Sequence, residues 1–563
     1  MATTPPPRIL SARMLEMHST IAECASSENH HQPVSIMATM SDVWVGLPWP
    51  VQLIATCFVL TATLLITTRL NSLSHSWPAA AGKGHEPPIA PYWLPGIQHL
   101  AAFLLDPART FRTTQSKYKD SPYTLLMGNV KFHVFGSPSA ATHVFARSRT
   151  FAYEPVTMSM LENGLDLPVA DRVYFQIGLD RANSAEHAKG FVLQNHNVWL
   201  RYLSGEPLDD LMQLFTRHFH QVLEQHLDMN TRGWQTVDLY QVLRKVIFDT
   251  SVLTFFGPRL AQIWGPTMWK DFCLFNDATY IGVRTNLAYV LQPRAGRGRE
   301  RMLRAFEQWL THHSEGDWPD KDKYWNEEWG AKMNWERDHL ARQFGLSLRG
   351  RATMQASFLF AIVLNAAPMS SWFTWVAASN SDRLAKCRAE SSKFLRPSKS
   401  SRLDHELDID ATQMRGSNFM QALWKEALRI GTAASPARVV MEDTELEGYV
   451  VRKGSVILMP TALLHHSDLF PRADQVDTER WTGEDAIVQQ RNKSIRTFGG
   501  GMGMCSGRHA AEQEVIGLVS KLITLFDIEF EDSWKNKFHF DPRSLGIMHP
   551  AGPLMVRLKR RVL

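Results

Sequence analysis

Phe498-Gly499-Gly500-Gly501-Met502-Gly503-Met504-Cys505-Ser506-Gly507-Arg508 carries four glycines within five residues, a lone cysteine and a further glycine, and opens an amphipathic run from His509 to about Phe526. Glycines this dense cost backbone entropy and bring no side chain to pack, so they are there for a tight bend. The bend brings one sulfur close against something large and flat. Cys505 stands just before an expected helix N-terminus, whose partial positive charge favours thiolate over thiol. A lone thiolate in an apolar setting, facing a planar partner, is how sulfur holds a haem iron. A phosphate-cradling loop is the competing use of such glycines. It would need GxxxxGK[ST], or GxGxxG between a strand and a helix, and neither register fits.

The totals agree with a large globular body. The chain has 563 residues, 44% hydrophobic and 21% charged, and 61 basic against 56 acidic residues give a net charge of +5. No basic stripe with interleaved aromatics occurs, which excludes nucleic acid as the expected partner. The five cysteines, Cys24, Cys57, Cys273, Cys387 and Cys505, are an odd number, widely spaced and without CxxC. That pattern argues against a disulfide framework or a zinc cluster and for a reducing compartment. Eighteen tryptophans and twenty-nine phenylalanines predict a large apolar interior.

Residues 1–42, rich in Ser, Thr, Pro and His, read as a disordered leader. Met37 and Met40 are alternative starts that would leave residues 1–36 untranslated. Residues 43–69 are the expected transmembrane anchor, because Val43 to Thr68 holds no charged residue and is long enough to span a bilayer. Arg69 and Lys83 follow it and place the body of the chain in the cytosol. Residues 70–96 are a polar, Pro-rich hinge ending in Glu86-Pro87-Pro88-Ile89-Ala90-Pro91-Tyr92-Trp93-Leu94-Pro95-Gly96, a stiff extended connector. Residues 97–563 form the expected catalytic domain. It opens with a hairpin near Tyr123 to Phe135, and helical spacing runs over 186–227 and 237–256.

Three later stretches stand out. Ala352 to Ser379 predicts a long apolar helix with Asn365 and Pro368 inside it, and such a local inconsistency in a buried helix points to function. Asn418 to Ile430 predicts a helix whose Glu426 and Arg429 share a face at i,i+3. Such a pair is ordinarily an exposed ion pair of little worth. Beyond short strands and hairpin turns, Arg480 sits in a loop that needs a clamp. The adjacent His465 and His466 do not face one site and read as a surface or core pair.

With the cysteine loop, Glu426, Arg429, Arg480 and the Pro-rich hinge in place, the chain resembles a cytochrome P450 over nearly its whole length beyond the anchor. The resemblance implies a mainly α fold with a small β-rich lobe and haem b (iron protoporphyrin IX) between the helix at 352–379 and the helix after Cys505. It makes Cys505 the axial ligand of the haem iron, Phe498 the aromatic that shields the sulfur, Gly501 the turn glycine and Gly507 the residue that lets the next helix approach. Glu426, Arg429 and Arg480 become a structural triad under the haem, and Arg438 the partner of a haem propionate. By family position Phe360, Ala361, Leu364, Ser435, Ala437 and the turn from Leu545 to Met548 face the substrate, and Asn365 is the catalytic candidate on the distal helix.

Two positions depart from the family pattern. Gly503 stands where an Arg or His binds a propionate. Leu364 and Asn365 replace the acid/alcohol pair, so the residue that would relay protons is absent. The Asn-then-Pro pattern is similar to the sterol 7α-/12α-hydroxylase and prostacyclin-synthase branch, which holds both monooxygenases and redox-neutral isomerases. The resemblance implies a membrane-anchored haem-thiolate monooxygenase taking electrons from an NADPH-cytochrome P450 reductase. With O2 it would oxidise a bulky apolar substrate, terpenoid, sterol or polyketide-like, in fungal secondary metabolism. The implied location is the endoplasmic reticulum membrane, single-pass, with a cytosolic catalytic domain. A redox-neutral isomerase or dehydratase acting on a peroxide or epoxide, and a non-catalytic haem-binding protein, stay open as alternatives.

Overall fold

The computed structural model describes residues 48–75, 84–128, 130–178, 189–229, 232–285, 287–313, 318, 323–398 and 406–562. The expected leader and residues 76–83 of the hinge lie outside them. The chain divides after Thr68, into Met1–Thr68 and Arg69–Leu563. Helix α1, Trp49–His75, has 27 residues and so runs about 40 Å. Two described segments are long and apolar enough to cross a membrane. The most apolar window of α1, at mean hydropathy 1.9, is wholly unburied, whereas that of Leu348–Ala378 is 72% buried and is core.

In the larger unit, β1 (Tyr123–Met127) and β2 (Val130–Val134) form the expected hairpin, with Tyr123 opposite Val134. With β3 (Phe151–Ala152), β5 (Ala437–Val440) and β6 (Val456–Leu458) they make a sheet in the order β1-β2-β6-β5-β3. The β2–β6 pair is parallel and the rest antiparallel. The Pro-rich connector lies along its edge, with Ala90 N–H donating to Thr124 O and Thr124 N–H to Pro88 O. A second sheet joins β4 (Trp234–Asp238) through β8 (Met555–Arg560) to β7 (Phe526–Phe530).

The rest is mainly helical. Of the helices that position the site, α2 (Phe191–Tyr202) and α3 (Gly205–His226) come from one periodic run, broken where Gly205 takes φ +61°. Asp238 caps α4 (Leu239–Ser251), its carboxylate accepting from Tyr240 and Gln241 N–H. The long apolar run at 352–379 is two helices, α5 (Leu348–Leu364) and α6 (Ala366–Ala378). Pro368 has no N–H to give the carbonyl four residues back, so the ladder fails at the Leu364–Asn365 junction. Helix α6 is buried almost throughout and packs on α4, α7 (Asn418–Gly431) and α8 (Arg508–Leu525). It is the centre of the core, and its N-terminal break opens onto the site.

Candidate active site

The cysteine loop closes on itself. Cys505 N–H donates to Phe498 O (3.0 Å) and Met504 N–H to Gly501 O (3.1 Å). Gly501 is required twice over: its φ is +63°, and a Cβ there would stand 2.3 Å from Phe145 O. Helix α8 starts at Arg508, and a Cβ on Gly507 would meet only the Cys505 sulfur, at 3.9 Å. Cys505 has accessible surface because it faces an internal cavity, while protein surrounds it on its other sides. Its thiol does not follow the helix-dipole expectation. Burial pushes it up, only partly offset by the Gly507 backbone N–H and the Arg508 charge. A cation bound on the cavity side would deprotonate it outright.

Beneath the loop lies a buried ionic clamp. Both Glu426 and Arg429 are fully buried. Arg429 Nη2 donates to Glu426 Oε1 (2.8 Å) and Nε to Oε2 (2.9 Å), the bidentate geometry that makes such pairs strong. Arg480 approaches Oε1 at 3.5 Å without a hydrogen bond, and its Nη2 donates to Arg472 O (2.9 Å). The stronger contacts from that loop are the Trp481 indole N–H to Oε2 (3.0 Å) and Asp477 N–H to Oε1 (3.0 Å). Helical spacing paired Glu426 with Arg429 and the resemblance added Arg480, but neither found Trp481, whose indole N–H, beside Arg480, was the available signal.

His465, buried in the core, ties this clamp to the cysteine loop. Its Nδ1 donates to Arg429 O (3.1 Å) and its Nε2 accepts from Arg496 N–H (3.1 Å), two residues before Phe498. One nitrogen must carry the proton and the other must not, so the ring is neutral. Burial, assisted by neighbouring cations, pushes its pKa down to about 3. The Thr432 and Thr497 hydroxyls add a second tie, at 3.0 Å.

The space left by Gly503 is filled. A Cβ there would lie 2.9 Å from the Tyr153 ring and 3.0 Å from Arg438 Nη2. Arg438, on β5, donates from Nη2 to Gly500 O (3.0 Å), and its guanidinium lies 5.0 Å from the Phe145 ring centre. The guanidinium therefore occupies the place a basic side chain at 503 would take.

The cavity has a volume of about 690 Å³ and is lined mostly by apolar side chains, within the usual range for ligand sites. Phe360, Ala361, Leu364, Asn365, Ser435, Ala437, Arg438, Phe498, Cys505, Gly507 and Leu545 all line it. Gly501 does not, serving the bend instead. Met548 is a correction. It is buried and does not line the cavity, which this turn lines through Leu545, Gly546 and Ile547. Asn365, the candidate on the distal helix, lines the cavity with its Oδ1 accepting from Ile547 N–H (2.9 Å). Unforeseen residues complete the lining. His196 lies 3.3 Å from the Ser506 hydroxyl through Nδ1. Glu514, on α8, is 6% exposed, and its Oε1 has no hydrogen-bond partner among the described residues. Burial pushes the Glu514 carboxyl up to about 8 and keeps it neutral at pH 7.

This lining fits a flat apolar group with acidic edges. It offers a sulfur from one wall, Ala361 and Leu364 from another, and a buried guanidinium. The cytochrome P450 family profile matches residues 352–558, from α5 through the clamp and the cysteine loop into β8. A cytochrome P450 monooxygenase of the fungus Hormonema carpetanum, efuG, is 23% identical, covering 91% of this chain and 97% of that protein. Mouse cytochrome P450 7B1 is 22% identical, covering 90% and 95%.

The chain is a cytochrome P450.

This P450 also shares its fold with the retinoic acid-bound cyanobacterial CYP120A1, at a TM-score of 0.66 and 18% identity, covering 85% of this chain and 99% of that one. It is an oxidoreductase of the monooxygenase class. Membership of the family implies a haem group and electrons supplied by a reductase.

Proposed function

We propose that this P450 is a membrane-anchored haem-thiolate monooxygenase that hydroxylates or otherwise oxidises a bulky apolar substrate, terpenoid, sterol or polyketide-like, in secondary metabolism. The observation that carries this is a single cysteine facing a large apolar cavity from a loop locked by a buried ionic clamp. Bound haem supplies reductive dioxygen activation, with one oxygen atom entering a substrate C–H bond and the other leaving as water on uptake of two electrons and two protons. Cys505 Sγ would hold its iron and donate electron density to it, from a site that Phe498 flanks. Arg438 would hold a carboxylate edge, since a guanidinium has five donors and can serve it together with Gly500 O. The clamp and His465 fix the loop's position. The apolar lining excludes water and binds apolar surface at about 25 cal/mol per Å². The fungal relative supports a place in secondary metabolism.

Helix α1, whose most apolar window is unburied and which carries Arg69 near its C-terminal end, supports a single-pass anchor with the catalytic unit cytosolic, as in the endoplasmic reticulum membrane. The test is full-length protein in microsomes with NADPH, an NADPH-cytochrome P450 reductase, 18O2 and a terpenoid and sterol panel. Product carrying one 18O atom, formed only with reductase, is expected. Product formed equally without reductase, or without label, would overturn the assignment and point to redox-neutral chemistry on a peroxide or epoxide.

A further inference from the structure

The C-terminal turn Ser544–Met548 forms part of the cavity wall through Leu545, Gly546 and Ile547. Much of its backbone is held by hydrogen bonds to the rest of the fold. Gly546 N–H donates to Ser544 Oγ (3.1 Å), and the Ser544 hydroxyl donates to Ile547 O. Gly546 O accepts from Ala433 N–H (2.8 Å), and Met548 N–H donates to Gly431 O (2.9 Å). Met548 O accepts from the Trp372 indole N–H on α6 (2.9 Å). Ile547 N–H turns to the distal helix, where its acceptor is Asn365 Oδ1 at 2.9 Å. An amide N–H needs an acceptor, so the contact also fixes which end of the Asn365 amide is oxygen. The approach is close: a Cβ on Gly546 would lie 2.3 Å from that oxygen. Asn365 stands at the α5–α6 break, with backbone φ −103°, ψ −21°.

We infer that Asn365 is a positioning and specificity-determining residue: it ties the distal helix break to the C-terminal turn and so sets where Leu545 and Ile547 stand against the substrate. The inference rests on the monooxygenase assignment only for what occupies the cavity. The helix break gives the side chain its reach, because Asn365 caps one helix and starts the next. The amide moves no proton, since neither of its ends titrates at neutral pH. With Leu364 beside it, this part of the wall is shaped for position and holds no acid.

The test uses full-length, haem-loaded protein in detergent, comparing wild type with Asn365→Leu, Asn365→Asp and Gly546→Ala. Asn365→Leu keeps the bulk and removes the acceptor. Asn365→Asp keeps an acceptor, and Gly546→Ala keeps the amide but displaces it. Hydrogen exchange of the peptide containing Ile547 should speed up about tenfold in Asn365→Leu and Gly546→Ala and stay near wild type in Asn365→Asp. Imidazole, small enough to ignore the wall, should bind within about twofold of wild type in all four proteins. The affinity of 4-phenylimidazole should shift by about fivefold or more in Asn365→Leu and Gly546→Ala. Unchanged exchange in both variants, or Asn365→Asp exchanging as fast as Asn365→Leu, would overturn the proposal. Should wild type lack the thiolate–carbon monoxide band, the haem-thiolate assignment falls, and the exchange data still decide the clamp.

Discussion

Replacing Glu426 with alanine removes the acceptor at the centre of the ionic clamp. Its two oxygens receive Arg429 Nε and Nη2, Asp477 N–H and Trp481 Nε1, with Arg480 at 3.5 Å. Arg429 is fully buried and Arg480 is 4% exposed, so water cannot take over the lost contacts. Breaking a buried ion pair by removing one partner costs about 3–5 kcal/mol. Leaving Trp481 and Asp477 N–H without acceptors adds about 1–3 kcal/mol each at the upper limit. A loss of at least about 3 kcal/mol is therefore expected, a large share of the roughly 5–15 kcal/mol that holds a domain folded. Trp481→Phe removes one donor while leaving both Glu426 oxygens occupied, and should cost only about 1 kcal/mol. Arg480→Ala, which loses no hydrogen bond to Glu426, should fall well short of Glu426→Ala. Urea unfolding followed by tryptophan fluorescence, with haem content measured in parallel, reads all three. A Glu426→Ala protein within about 0.5 kcal/mol of wild type, with full haem loading, would refute the clamp.

Gly503→Arg restores the basic side chain typical of the family but should lower haem loading and cost about 1–3 kcal/mol, because its Cβ presses on Tyr153 and Arg438. Gly503→Arg combined with Arg438→Ala should recover part of that loading, which absorbance at the Soret band measures. Arg438→Ala alone should weaken haem retention, read as faster haem transfer to apomyoglobin. Glu514 gives a signed pH dependence. Its carboxyl is held neutral by burial up to about pH 8 against an ordinary value of 4.5. Folding therefore takes up a proton between those values. The stability it contributes is fully present below about pH 4.5 and is lost as pH rises to about 8, with a slope of up to about 1.4 kcal/mol per pH unit. Glu514→Gln should flatten that slope in urea titrations at pH 5, 6.5 and 8, and equal slopes in the two proteins would contradict it.

Much of this was legible in the sequence because it is local. The α5–α6 break follows from Pro368, the hairpin from alternation, and the tight loop from glycine density. Glu426 and Arg429 share a face by helical spacing alone. What stayed hidden depends on pairs that only the fold brings together. Trp481 reaches Glu426 across 55 residues, Arg429 meets His465 across 36, and Asn365 meets Ile547 across 182. No periodicity encodes such distances. Met548 is buried outside the wall that Leu545, Gly546 and Ile547 line, an outcome of the turn's local path that no periodicity encodes. The rise in the Cys505 thiol has the same origin, since burial set by the tertiary fold outweighs a helix terminus read from sequence. Gly503 was visible as an anomaly, but its cause, the Arg438 guanidinium lying in the vacated space, needed the sheet to bring β5 against the loop.

The central claim is that Cys505 presents a thiolate to haem iron. The direct measurement is the absorption spectrum of the dithionite-reduced, full-length protein under carbon monoxide, wild type beside Cys505→Ala. The red-shifted Soret band diagnostic of thiolate ligation should appear in wild type and vanish in Cys505→Ala. A haem-loaded wild type without that band, or a variant that keeps it, would contradict the account.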